Sequence, residues 1–194
     1  QLKQILNINS EPQLLYLYKL PAILADLATA TVIYKLLKAN RTKTLNTKHY
    51  ALSTVPLLAA AAYVFNPAVF ANSSLWGQTD SFTALFAVLS LYFAVNLKTL
   101  PAGLALGLGS LIKLNTLLIA PVLVLALIHQ KQFLRNFLTL SLISISIFVL
   151  GFMPFQNQSN LFEFIGHRIA ITTNQYPHTS LNAFNLWFMR DGSW

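Results

Sequence analysis

The residues best equipped for chemistry lie close together in the stretch Asn66-Pro67…Asn72-Ser73-Ser74-Leu75-Trp76-Gly77-Gln78-Thr79-Asp80-Ser81. An indole, a primary amide and a carboxylate fall within a few positions of one another. Trp76 could stack on the C–H face of a sugar ring, or anchor the chain at the membrane–water boundary where Trp is enriched. Gln78 offers both a donor and an acceptor, as a hydroxyl-rich ligand requires. Asp80 opens the next apolar run, and the positive end of a helix dipole stabilises a carboxylate there by about 0.3–1 kcal/mol. It reads either as a ligand-binding acid or as the N-cap of that helix, between Thr79 and Ser81.

Other charged groups stand inside or beside apolar runs. Lys19 and Asp26 share one helical stripe about 10 Å apart. Lys19 can snorkel toward an interface, whereas Asp26 lies deeper and is costly unless it faces protein or water. Lys113 interrupts another apolar run. A buried ammonium there invites an anion such as a phosphate; alternatively Lys113 snorkels to an interface or pairs with a carboxylate such as Asp26. Further along, His167-Arg168 and Tyr176-Pro177-His178 add groups able to contact phosphate or hydroxyls, or simply to face water. The two histidines lack a carboxylate at a fixed ligand spacing, so zinc has no support. The sequence requires no cofactor, and a divalent metal is left unsupported. No Gly-x-Ser-x-Gly, Walker A or His-Glu-x-x-His motif occurs. Asn40-Arg41-Thr42, Asn72-Ser73-Ser74 and Asn157-Gln158-Ser159 match the weak glycosylation pattern.

The elements that must position these groups follow from composition. The 194 residues are 55% hydrophobic and only 9% charged, far from the roughly one quarter charged of soluble domains. Long continuous apolar runs indicate transmembrane helices rather than alternating barrel strands. The expected fold class is therefore all-α, a polytopic transmembrane bundle of about four full spans plus a short-helix hairpin, followed by a polar tail. Spans are expected at about Leu14–Leu37, Ala51–Phe70, Ser81–Val95 and Phe137–Met153, with the polar stretch between the second and third spans forming a loop. The formal charge of +8 is not gathered in one stripe and points to no nucleic acid. Lys35, Lys38, Arg41, Lys43 and Lys48 mark a cytoplasmic connection, so the Asn72–Asp80 loop and the tail after Pro154 fall on the opposite face. Pro101 to His129 rises only about 43 Å as helix, too short for two crossings of about 30 Å. The interruption at Lys113-Leu114-Asn115-Thr116 therefore reads as two short helices, with one long tilted helix as the competing reading. A short interfacial helix is expected over about Leu161–Ile171. Zero cysteines exclude disulfides and thiol chemistry in these residues. The chain is expected to be one domain over residues 1–194, a fragment truncated at both ends.

Four stretches together resemble a family. Asn66-Pro67…Trp76-Gly77-Gln78-Thr79-Asp80 is similar to the N-P-x(n)-W-G-Q-x-D pattern of GT-C type polytopic membrane glycosyltransferases, especially bacterial mannosyltransferase-like members. Tyr18-Lys19-Leu20-Pro21…Asp26, Ser110-Leu111-Ile112-Lys113-Leu114-Asn115 with Pro121, and Asn182-Ala183-Phe184-Asn185-Leu186-Trp187 follow in the same order. The resemblance implies helices around a cavity open to the extracytoplasmic face of a bacterial plasma membrane. It implies transfer of a mannose-like hexose from a polyprenyl-phosphate sugar donor to a glycan, lipid or protein acceptor, with inversion and with no nucleic acid involved. Trp76, Gln78, Asp80, Lys113, Arg168, His178, Asn182 and Asn185 become substrate-binding residues, while Lys19 and Asp26 are intramembrane polar groups of structural weight. In that family the base lies in the first external loop, which here would precede Gln1, leaving Asp80 a secondary catalytic candidate. A lipid-linked-sugar transporter or flippase, and a non-catalytic membrane subunit, are the alternatives.

Overall fold

A computed structural model gives the fold of residues 11–44, 54–156, 160–174, 180–181 and 192–193. The described residues form helices joined by short turns, with two-residue strands at Ser180–Leu181 and Gly192–Ser193 that pair in parallel. Two helices are long and apolar enough to cross a membrane, over Tyr16–Ala39 and Phe133–Phe155, and a bent pair makes a third if taken as one span. Asp80–Val95, Thr99–Ile112 and Leu114–Ile128 are shorter apolar helices. Contacts divide the chain into two compact units, Gln1–Phe148 and Val149–Trp194.

Helix α1 (Glu11–Thr44) buries a stripe of small or polar residues, Ala22, Ala25, Asp26, Thr29 and Ala30. Leu20, Leu24 and Leu27 are exposed on its other side. Lipid tails are as apolar as leucine, so bulky side chains gain little by turning inward, and small ones let backbones approach. On that stripe α1 meets α2 (Val55–Val64) and α4 (Asp80–Val95).

Between α2 and α4 the structure departs from the expected loop. Asn66 accepts a hydrogen bond from the Ala68 amide at 2.9 Å, and Pro67 occupies the first turn of α3 (Pro67–Phe70). An Asn cap followed by Pro starts a helix. α3 widens into a π-helical segment at Ala71–Trp76, and the α2–α3 bend is 44°. Gly77 ends the segment at φ +73°, a left-handed conformation that glycine adopts without a Cβ penalty.

After α4, the chain turns at Leu97 and enters α5 (Thr99–Ile112). The Ser90 hydroxyl donates to the Ala102 carbonyl at 2.9 Å, closing α4 onto α5. Lys113 is extended (φ −157°, ψ 126°) and stops α5. A 3₁₀ turn (Leu114–Ile119) and α6 (Ala120–Ile128, with Pro121 in its first turn) follow. The break expected at Lys113 is present, and the single long helix is not. Ala94, Ala102, Leu106, Leu123, Leu127 and Leu140 form the apolar centre, the last on α7 (Phe133–Phe152).

A polar clip ties three helices at the end of this centre. Buried Asn136 of α7 donates to the Gln130 side-chain carbonyl at 2.7 Å, and the Gln130 amide donates to the Ala94 carbonyl at 3.0 Å. Replacing Asn136 leaves the half-buried Gln130 side-chain carbonyl without this donor and loosens the clip. Asn136→Leu is expected to destabilise by about 1–3 kcal/mol, measurable as a lowered unfolding midpoint in detergent.

In the second unit α8 (Leu161–Asn174) extends slightly beyond the helix expected from sequence. Asn160 accepts from the Phe162 amide at its start, and Phe152 meets Phe164 edge-on with ring centroids 6.3 Å apart.

Candidate functional site

Asp80 is the first residue of α4, because the helix dictates its position one place beyond the cap. Thr79 is the N-cap and makes no side-chain cap bond. The expectation that Asp80 itself caps the helix is corrected. Its carboxylate is instead an acceptor for the Lys113 ammonium at 2.5 Å, a contact between two elements far apart in sequence. Lys113 reaches it because its extended backbone frees the side chain from the end of α5. The pair is about two-fifths exposed, so water screens it. A double-mutant cycle with Asp80→Asn and Lys113→Met is expected to give a coupling of about 0.2–1 kcal/mol. That coupling should shrink as salt is raised.

Asp80 stands between two cavities. One, of about 410 Å³, is lined by Asp80, Thr83, Ala84, Lys113, Asn115 and Thr116 among others. The buried Thr83 hydroxyl has no hydrogen-bond partner. Thr116 is held by its hydroxyl, which donates to the Lys113 carbonyl at 3.0 Å. The second cavity, of about 380 Å³, runs from Asp80 and Ser81 past Asn72 to Tyr63 and Asp26.

Asp26 faces the bundle, as its cost in lipid demands, and is only 6% exposed. The Tyr63 hydroxyl donates to its Oδ1 at 3.1 Å, while Oδ2 is buried without a partner. Lys113 does not pair with Asp26 but with Asp80. The aliphatic stem of Lys19 lies over Gly77, with its Cγ 3.3 Å from where a Cβ would stand. This brings Lys19 of α1 to the Trp76-Gly77-Gln78 turn. Trp76 is 77% exposed, and the Gln78 amide donates to the Asn72 carbonyl at 3.0 Å. Sequence reasoning overlooked Tyr63, which has no motif around it; only the need of Asp26 for a donor pointed there.

Arg168 belongs to the second unit, where its guanidinium lies over the Phe164 ring, 5.1 Å from the centroid. Among the described residues it is thus engaged in a cation–π contact along α8. His178, Asn182 and Asn185 lie outside the described residues. Among the described residues, no group of three or more His, Cys, Asp or Glu could hold a metal ion.

A family model described as GPI transamidase subunit PIG-U matches residues 2–188. No curated protein and no solved structure matches the chain. The match overturns the glycosyltransferase assignment drawn from the resemblance, and the bacterial mannosyltransferase-like family is not shown. A polyprenyl-phosphate sugar donor and a bacterial plasma membrane lose their support with it. The physical reason lies in the Trp-Gly-Gln-x-Asp stretch itself. Gly77 is required by a left-handed turn and Asp80 is held by Lys113. Such a pattern specifies a helix-to-helix junction and an ion pair, which do not by themselves entail sugar transfer.

Proposed function

Since the chain belongs to the family of the GPI transamidase subunit PIG-U, we propose that it is a membrane-embedded, non-catalytic subunit of such a complex. The observation that carries this reading is the family match over residues 2–188. The membrane-length helices Tyr16–Ala39 and Phe133–Phe155 support it. These 194 residues hold no cysteine and supply no thiol for acyl exchange.

Within that role, Trp76, Gln78, Asp80 and Lys113 form the polar face that meets the sugar- and phosphate-bearing part of the GPI lipid. A Lys ammonium suits a phosphate as a point charge, and the Asp80 carboxylate would then yield Lys113 in part to the ligand. The distribution of Lys and Arg around α1 assigns this face to the non-cytoplasmic side.

The test is assembly. The tagged full-length protein, purified in mild detergent from its own cells, should bring down a complex that attaches GPI to a reporter protein. Depleting the protein should remove that reporter from the cell surface. A chain that purifies alone, and whose depletion leaves the reporter at the surface, would overturn the reading.

A further inference from the structure

We propose that Asp26 is the anchor of a binding site for a primary ammonium group carried by a membrane-borne ligand. Three observations converge on it. The Asp26 side chain is more than nine-tenths buried, and its Oδ2 has no hydrogen-bond partner. Two cavities open onto it, one of about 380 Å³ beside Tyr63, Asn72 and Ser81, the other of about 290 Å³ beside Ser73 and Ser74. Among the described residues, no Lys, Arg or His lines either cavity.

Charge chooses the ligand class. A carboxylate buried without a cation is strongly unfavourable; Lys113 is engaged by Asp80, and Lys19, on the same helix, lines neither cavity. A sugar hydroxyl would satisfy Oδ2 as a hydrogen-bond donor but would leave the charge uncompensated. An ammonium supplies both the donor and the charge. Tyr63 already holds Oδ1, so the free oxygen is fixed in direction before the ligand arrives. Ser81 and Asn72 line the path from the Asp80 mouth and offer acceptors for the remaining ammonium protons. Transamidation replaces one amine by another on an acyl carbon, so a complex of this kind handles amine-bearing ligands. The choice of a lipid amine rests on the proposed function, whereas the choice of an ammonium rests on the cavity alone.

The experiment uses the full-length protein in its complex, in phosphatidylcholine nanodiscs. The probes are fluorescent-labelled didecanoyl phosphatidylethanolamine, its N-acetylated counterpart, and unlabelled n-octylamine and n-octanol as competitors. Expected is saturable binding of the ethanolamine lipid, at least tenfold weaker binding of the N-acetylated form, and competition by n-octylamine but not by n-octanol. Competition by n-octylamine as strong as by unlabelled ethanolamine lipid would identify the amine alone as the determinant; weaker competition would identify the lipid headgroup. Asp26→Asn, which keeps the shape and the Tyr63 contact, should weaken binding at least tenfold. Ala84→Phe, which fills the larger cavity and leaves the Asp26 side chain in place, should do the same. Equal binding of amine and N-acetylated lipid by the unsubstituted protein, or undiminished binding by a folded Asp26→Asn, would overturn the proposal and leave Oδ2 to water. Co-purification of transamidase activity is scored in the same preparations, so loss of the subunit reading registers separately from loss of the amine site.

Discussion

Gly107→Ala should destabilise the protein, although alanine is the better helix former by about 1 kcal/mol. A Cβ on Gly107 would stand 2.8 Å from the Ser144 carbonyl oxygen and 2.8 Å from the Ile147 Cβ of α7. One turn earlier, a Cβ on Gly103 would stand 2.7 Å from the Leu140 carbonyl oxygen. The obstacles are backbone oxygens and a branch point, none of which can swing aside. Relief requires α5 and α7 to separate, and in lipid the close approach of backbones is itself what holds such helices together. Overpacking of this kind costs about 1–3 kcal/mol, and Gly107→Val is expected to reach or pass the upper end. Against a total of about 5–15 kcal/mol, that loss should appear as a lower melting midpoint and a poorer yield of monodisperse protein. Gly166→Ala supplies the control, because nothing lies within 4 Å of its would-be Cβ. There only helix propensity acts, and the midpoint should hold or rise.

The second large effect is expected at Tyr63. Tyr63→Phe removes the hydroxyl that serves Asp26 Oδ1, and Oδ2 has no partner to begin with. A buried carboxyl would then be left wholly unsatisfied, at a cost of about 1–3 kcal/mol. The diagnostic comparison is with the double variant Asp26→Leu/Tyr63→Phe. Removing both polar partners and restoring an apolar contact is often nearly neutral. The double variant should therefore melt above Tyr63→Phe alone. Equal losses in single and double variants would show that the loss does not come from leaving the Asp26 carboxyl without its donor.

The two effects differ in how legible they are from sequence. Asp26 announces itself, since a carboxylate within an apolar run must face protein or water. Tyr63 is one aromatic residue among several in the apolar runs, and nothing local distinguishes it. Gly103 and Gly107 are spaced i, i+4, the small-xxx-small signal of close helix packing, yet hydropathy averages over a window and does not report faces. The Lys113 partner was legible only as an anion, a phosphate or a carboxylate, and not as Asp80 in preference to Asp26. That choice depends on where α4 begins relative to the end of α5, which is a tertiary quantity. The enzyme assignment drawn from the GT-C resemblance failed for a related reason: here the Trp-Gly-Gln-x-Asp stretch is accounted for by a left-handed turn and an ion pair.

By itself the sequence determined the class of the molecule. Burying or immersing so many apolar side chains with so few charges leaves helices in a bilayer as the solution, and Lys113 in an apolar run had to break its helix or find an anion. It also determined that Asp26 turns inward. Only the tertiary structure decided that the span expected through Phe70 breaks at Asn66–Pro67 and runs on as helix over Ala71–Trp76 where a loop was expected, that Lys113 serves Asp80, and that Asp26 keeps one oxygen unpartnered among the described residues. Those outcomes depend on distances between residues far apart in the chain, set by how α1, α4 and α5 pack. Local composition sets the cost of leaving a charge alone; packing decides which partner, if any, arrives.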